Sequence, residues 1–420
     1  MLLGAKPSRA GALDPLPPPE LSGIKHIVVV TMENRSFDHL LGWLPGADGR
    51  QAGLSYPDAA GVMHPTFPLA PTIGFQGCNN LDPDHSWEGG RIQYADGAMD
   101  GWLLANSDRF AIGYYERADR PFFNEFAASF TTLDRYFCSI LAETFPNRFF
   151  LHAAQTPTLH NVGTTSGITD PQTIPTIWDR LAAAGVSARY YFSDVPFLGL
   201  WGDKYLSISR PHSEFLAAAA AGLLPAVSFV DPRFLAESSG SSGDDHPHAD
   251  IRVGDAFLSR TFAAVARGRA WDSTVVIVTY DEWGGFFDHV APPVSVAANA
   301  VDPPDEGGNV RLGMRVPVVV ASPWTRAGGQ PRIHSALYDH TSILKLIEWR
   351  WSLPHLTPRD APDSNITNLA QALDFANPDP VVPSLPVLVG PVLESCLLAR
   401  AEQPQWDRLR RSPLLARWRL

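Results

Sequence analysis

Glu33 and Asn34 follow directly on a run of β-branched residues at 27–31, and Asp281 and Glu282 follow a second apolar run at 273–280. Each pair sets two oxygen donors at the end of a buried strand, the edge at which open α/β sheets bind ligands. Carboxylate and amide oxygens are the ligands that hard metal ions take. A single acid at a strand end is also a common helix cap. Two such pairs at one edge are harder to explain as caps, because like charges repel and burial raises the cost of each. A divalent cation relieves both penalties, so Glu33, Asn34, Asp281 and Glu282 are read as one metal site. Calcium, magnesium, manganese and zinc all fit an all-oxygen set of this kind.

A nucleophile is offered by the segment LAETFPNRFFLHAAQTPT at 141–158. Thr144 stands two residues before Pro146 and ahead of an apolar helical run at 149–154, the position of an N-cap. Its hydroxyl would then lie at a helix N-terminus, which favours anions. Coordination to a metal would make its alkoxide accessible. Alone, the segment also fits a plain capping threonine. Asn147 and Arg148 follow; arginine forks onto phosphate oxygens, or equally pairs with a core acid.

Loop histidines complete the set. His85 in NNLDPDHSWEGG, His246 in GDDHPH and His289 in FFDHVAPP are placed near the same edge. They are candidates to hold phosphate oxygens or to protonate a leaving group, although a lone loop histidine is usually an ordinary hydrogen-bonding group. His248, His340 and His160 are weaker candidates, and His39 and His152 are expected to pack against neighbouring elements.

The elements that must position these groups alternate as strand and helix, which favours a mostly parallel sheet. Strands are expected at 24–31, 188–192, 226–230, 274–280 and 316–321. Helices are expected at 177–184, 249–267 and about 341–351, the last with Asp339 or His340 near its cap. The strand at 226–230 leads towards Asp244, Asp245, His246 and His248, and the one at 316–321 towards Asp339 and His340. Residues from about 41 to 130 read as an insertion with short helices, draped over the active edge. The segment ESSGSSGDDHPH at 237–248 reads as a flexible loop.

With 420 residues, 45% of them hydrophobic, the chain can bury a large core. Lys plus Arg at 33 against Asp plus Glu at 44 gives −11, which argues against nucleic acid as a partner. Cys78, Cys138 and Cys396 form neither a zinc pattern nor a disulfide framework; buried free thiols are the simple reading, and one disulfide is compatible. No run approaches the ~18 apolar residues needed to span a bilayer, so no transmembrane segment is expected. The N-terminus shows no signal peptide, so the expectation is either a cytoplasmic protein or one whose export signal is missing from this sequence. The chain ends RLRRSPLLARWRL, a basic tail expected to be solvated or frayed, with an anionic membrane surface as the alternative.

Taken together these residues resemble the bacterial phospholipase C and acid phosphatase phosphoesterases. The resemblance rests on IVVVTMENRSFDHLLG (27–42), DPDHSW (82–87), ETFPNR (143–148), DDHP (244–247), TYDEWGGFFDHVAPP (279–293), GMRVPVVVASPW (313–324) and DHTSILKLIEWRW (339–351), in family order. It implies an alkaline-phosphatase-like fold, a three-layer α/β/α sandwich with a mostly parallel central sheet and the site at the C-terminal strand ends. It implies one divalent metal on Glu33, Asn34, Asp281 and Glu282, and Thr144 as both nucleophile and metal contact. His85, His246 and His289 become phosphate-contacting or acid/base groups. The chain then divides into a Pro-rich arm (1–22), a catalytic domain (23–375) and a C-terminal extension (376–420). Many phospholipase C relatives carry a twin-arginine signal and C-terminal β-rich modules, neither visible here.

The expected activity is hydrolysis of phosphodiesters, as a phospholipase C acting on phosphatidylcholine-type lipids at a membrane surface through a phosphothreonine. Trp87, Trp102, Tyr114 and Tyr115 are available to hold a choline by cation–π contact, or simply to pack. The alternatives are an acid phosphatase acting on monoesters and, from another class, a catalytically silent lipid-binding protein.

Overall fold

The computed structural model of the chain describes residues 15–161, 169–326, 329–392, 395–396, 405–418 and 420. Residues 1–14 of the expected N-terminal arm lie outside them. An eight-stranded sheet forms the centre. Its strands are β1 (His26–Met32), β2 (Thr131–Leu133), β3 (Ala188–Phe192), β4 (Ser209–Pro211), β5 (Val227–Val230), β6 (Thr274–Tyr280), β7 (Val319–Ala321) and β8 (Ile333–His334). Their spatial order is β8-β2-β7-β6-β1-β5-β3-β4. The run from β6 to β4 is parallel, β7 is antiparallel to both β6 and β2, and β8 is parallel to β2.

The helices are α1 (Phe37–Leu41), α2 (Trp87–Tyr94), α3 (Pro121–Ser129), α4 (Thr144–Ala153), α5 (Ile177–Ala183), α6 (His212–Ala221), α7 (Ile251–Ala266), α8 (His340–Trp351) and α9 (Gln405–Arg411). All of β6, and all of β1 except His26, is buried. An uninterrupted Val/Ile run suits a strand covered on both faces. The cover comes from two separate helix groups, α3–α7–α6 and α5–α4–α8, giving a three-layer α/β/α arrangement. Each fully buried Val or Ile contributes about 1.5–3 kcal/mol relative to exposure, so the central pair anchors the edge where the site lies.

The strands expected at 188–192 and 274–280 match the structure residue for residue. The one expected at 316–321 shortens to Val319–Ala321, because Val316 instead bonds the carbonyl of Tyr136. Asp339 caps α8, accepting from the Thr341 amide at 2.8 Å.

Three expectations are corrected. The 237–248 segment is an ordered part of the interior: Ser242, Asp244, Asp245, His246 and His248 are buried, and the Asp244 carbonyl accepts from the Glu33 amide at 2.8 Å. Cys78 and Cys396 form a disulfide, leaving Cys138 as a buried free thiol. The C-terminal tail docks rather than frays: Trp406, Leu409, Leu415 and Trp418 are buried. Composition hid all three, because each depends on a partner distant in sequence. Among the described residues no helix is long and apolar enough to cross a membrane.

Candidate active site

The parallel register of β1 and β6 assembles the centre of the site. Met32 lies opposite Tyr280, so Glu33–Asn34 and Asp281–Glu282 leave the sheet side by side. The Asp281 amide donates to Met32 O at 3.1 Å, the Asn34 amide to Asp281 Oδ1 at 3.2 Å, and the Arg35 amide to Glu282 O at 3.0 Å. The Asn34 side chain meets the Glu282 carboxylate directly. Asn34 has φ 61°, a left-handed conformation that asparagine tolerates better than most residues. Gly284 follows at φ 62°, where an added Cβ would stand 2.1 Å from Asn34 O. Only glycine lets these two loops close on each other.

Thr144 is the first residue of α4, and Glu143 takes the cap position expected of Thr144. The N-terminus offers few donors to an anion: Asn161 Oδ1 takes the Phe145 amide at 2.8 Å, and Pro146 has none. Asn147 is committed as well. Its Oδ1 accepts from the Ile140 amide, and its Nδ2 donates to the carbonyls of Ile140, Ala142 and Glu143. It shapes the loop that presents Thr144, in place of the substrate contact expected of it.

Arg148, one turn beyond Thr144 on the same face of α4, is 1% exposed. Its Nε lies 2.9 Å from Asp281 Oδ2 and 3.2 Å from Glu33 Oε1, and Nη1 lies 3.1 Å from Asp231 Oδ1. The phosphate fork expected of Arg148 is therefore replaced by pairing with core acids, the other sequence reading. Asp231 follows β5 immediately, the same strand-then-acid signal as Glu33 and Asp281, and was missed in favour of Asp244.

His85 and His246 come together, with ring centroids 6.1 Å apart, and His248 lies 6.4 Å beyond His246. His246 Nε2 is 3.5 Å from Asp82 Oδ2, and His85 Nδ1 is 2.8 Å from the Pro83 carbonyl. Burial pulls His85 down, but Glu282 and then Asp82 outweigh it, and its pKa rises to about 10. Burial takes His246 to about 3. The two neighbouring histidines are thus pushed in opposite directions.

His289 stands apart from them. It contacts Asp38 at 2.5 Å through Nδ1 and Asp48 at 3.3 Å through Nε2, in a cluster with Asp288 and Arg315. His340 Nε2 lies 2.6 Å from the Asp281 carbonyl. His39 and His152 pack as expected, against Phe286 and Phe197. Trp102, Tyr114 and Tyr115 are buried, and Arg91 lies 3.3 Å over the Trp87 ring, so these aromatics pack rather than line a choline site.

Of the expected ligands, Glu33 and Asn34 fit a divalent metal with a free oxygen each, whereas the Asp281 and Glu282 oxygens already accept from the amides of Asn34, Glu282 and Gly284, from Arg148 and from the Asn34 side chain. Among the described residues, Glu33 Oε2, Asn34 Oδ1, Thr144 Oγ1 and Asp244 Oδ2 are buried with no hydrogen-bond partner. Buried polar atoms are rarely left so, and a cation would satisfy them. Glu33, Asp231, Glu237, Asp244, Asp281 and Glu282 are all buried here, with Arg148 the guanidinium among them. Burial drives Glu33 well above the carboxylate range and Glu282 to about 8. Glu33 also stands within 4.8 Å of Glu237 and Asp244, two acids whose approach the sequence did not reveal.

A model of the Phosphoesterase family matches residues 24–354. Phospholipase C A of Mycobacterium tuberculosis is 32% identical over 427 residues, covering 86% of this chain and 79% of its own. Non-specific phospholipase C1 of Arabidopsis thaliana is 32% identical over 378 residues, covering 80% of this chain and 69% of its own. A solved protein in the alkaline phosphatase superfamily from Vibrio parahaemolyticus superposes with TM-score 0.40 at 9% identity, over 83% of this chain and 70% of that one; a likeness that distant carries no argument about the site. The matched span holds both strand-end pairs, Thr144 and the paired histidines, and on that ground the chain belongs to the Phosphoesterase family and is a hydrolase of phosphoric esters.

Proposed function

We propose that this protein hydrolyses phosphodiesters as a phospholipase C, acting on phosphatidylcholine-type lipids at a membrane surface with Thr144 as nucleophile. The observation that carries the reading is the buried, unpartnered Thr144 hydroxyl, one helical turn from an arginine paired with Glu33 and Asp281. A divalent cation held by Glu33, Asn34, Asp281 and Glu282 would lower the hydroxyl's pKa and offset phosphate charge; calcium, magnesium, manganese and zinc are the candidates.

The residues divide the work. Arg148 and Asn147 hold α4 and its leading loop, fixing where Thr144 Oγ1 stands. Thr144, its hydroxyl proton released to solvent, attacks phosphorus, and the bond to the leaving alcohol breaks as His85, charged at neutral pH, supplies that alcohol's proton and regains one from the water that follows. Water then hydrolyses the phosphothreonine and releases the phosphorylated head group. The diester preference is supported by the phospholipase C relatives. The Cys78–Cys396 disulfide supports maturation in an oxidising compartment in place of the cytoplasm.

Turnover of p-nitrophenylphosphorylcholine and of p-nitrophenyl phosphate, each with and without chelator, tests the reading. Metal-dependent cleavage favouring the diester is expected. Preference for the monoester identifies an acid phosphatase instead, and lipid binding without turnover identifies a silent relative.

A further inference from the structure

We infer that Trp406, supplied by the C-terminal extension, is a positioning residue for Glu33. The inference rests on the reading of Glu33 as a metal ligand. Trp406 lies beyond the family-matched residues 24–354 and is fully buried. Its indole Nε1 donates to Glu33 Oε1 at 3.0 Å. That oxygen also faces Arg148 Nε at 3.2 Å, whereas Glu33 Oε2 has no partner among the described residues. Indole N–H is a donor only. The indole donates the hydrogen bond and the arginine, whose Nε–H goes to Asp281 Oδ2, adds its charge; both act on Oε1 and leave Oε2 for a ligand. Hydrogen bonds of this outer kind commonly set a metal ligand's orientation, and losing one typically weakens metal affinity by about 10–100-fold.

The indole is itself held in a rigid setting. It stacks on Phe234 at 3.8 Å with planes 2° apart and meets Phe145, the neighbour of Thr144, edge-on at 5.0 Å. The Arg148 guanidinium lies 4.6 Å from the Phe234 ring and 5.2 Å from the Trp406 ring. One side chain thus touches the metal-ligand carboxylate, its arginine partner and the first turn of the nucleophile helix.

The extension is anchored on both sides of Trp406. Upstream, Cys396 is bonded to Cys78 of the insertion, and its amide donates to Ser239 O at 2.7 Å, beside Glu237. Downstream, Trp418 packs on Phe192 of β3 at 6.1 Å, and Arg417 pairs with Asp203 at 2.8 Å. Cys396 and residues 405–418 therefore work as a strap that delivers the indole to Glu33.

Trp406→Phe keeps the ring and removes the donor. Calorimetric titration of chelator-stripped protein with calcium, magnesium, manganese and zinc in turn is expected to show affinity weakened by about 10–100-fold for the metal the parent binds. At saturating metal, kcat should return to within a few-fold of the parent. Parent-like affinity in W406F overturns the inference. Glu33→Gln separates the two claims: if E33Q binds metal as the parent does, Glu33 is no ligand and the site reading fails, whatever Trp406 does. Should W406F fold poorly, the double variant Cys78→Ser/Cys396→Ser leaves the indole in place and loosens the strap. Weaker metal binding than the parent's is then expected, and unchanged binding overturns the strap.

Discussion

Residues 33–39 and 281–289 build two buried acidic clusters a few positions apart, one closed and one open. In the closed cluster, Asp38 Oδ1 accepts from Arg315 and the Arg50 amide, and Oδ2 from the amide and ring of His289. Asp288 Oδ1 accepts from Arg315 and the Val290 amide, and Oδ2 from the Asp38 amide. Every carboxylate oxygen of Asp38 and Asp288 is satisfied, and Arg315 Nη1 donates to the carbonyls of Asp48 and Asp134. In the open cluster, Glu33, Asn34 and Thr144 each keep a buried oxygen without a partner. The stretch at 33–39 thus enters one arrangement whose carboxylate oxygens are all engaged and another in which Glu33 and Asn34, with Thr144, keep unused coordinating capacity beside the fully bonded Asp281 and Glu282. Acid content and burial do not separate them; the state of the last lone pairs does.

The largest test of this contrast is Thr144→Ala. Turnover of an activated diester should fall by roughly 10³-fold or more, while thermal stability changes little, since Thr144 Oγ1 makes no hydrogen bond. Near-parental turnover would remove Thr144 from the chemistry. Arg315→Met probes the closed cluster in the opposite sense. Stranding Asp38 and Asp288 should cost about 3–5 kcal/mol in urea unfolding, with activity per folded molecule nearly unchanged.

Histidine exchange sharpens the comparison further. His85→Gln should lower kcat by about 10²-fold, whereas His289→Gln, in the closed cluster, should lower it less than about threefold and act mainly on stability. Equal losses in steady-state kinetics would mean that His289 reaches the reaction after all.

The last test is a pH slope in chelator-treated protein. Burial raises Glu282 from 4.5 to about 8 in the fold. Between those values the folded state holds a proton that the unfolded chain has lost. The stabilisation is full below pH 4.5 and is lost as pH rises through about 8. Urea unfolding between pH 5 and 8 should show a decline of at most about 1.4 kcal/mol per pH unit. Glu282→Gln should flatten it, and added divalent metal should oppose it. An unchanged slope in E282Q would place the titration elsewhere.

Much of this arrangement was legible from local pattern. The Val/Ile runs of β1 and β6, the acids at their ends and the cap of α8 each depend on residues close in sequence. His85, His246 and His289 were expected near one edge as a set, and the fold brings the first two within 6.1 Å of each other. His289 was not separable from them, since its partner Arg315 reaches it only through the fold. Asp231 carried the right signal and was overlooked. Glu237 and Trp406 carried no local signal at all.

Sequence by itself determined which strands are buried on both faces and which oxygens leave their ends, because hydrophobic runs and the acids that follow them are short-range facts. Tertiary structure decided which of those oxygens are satisfied. Arg148 turned from the expected phosphate fork to Glu33, Asp231 and Asp281, Arg315 closed one cluster, and Trp406 arrived from 373 residues away to hold Glu33. A side chain's hydrogen-bond partners are set by where the folded chain places them, and no periodicity or motif spacing encodes that.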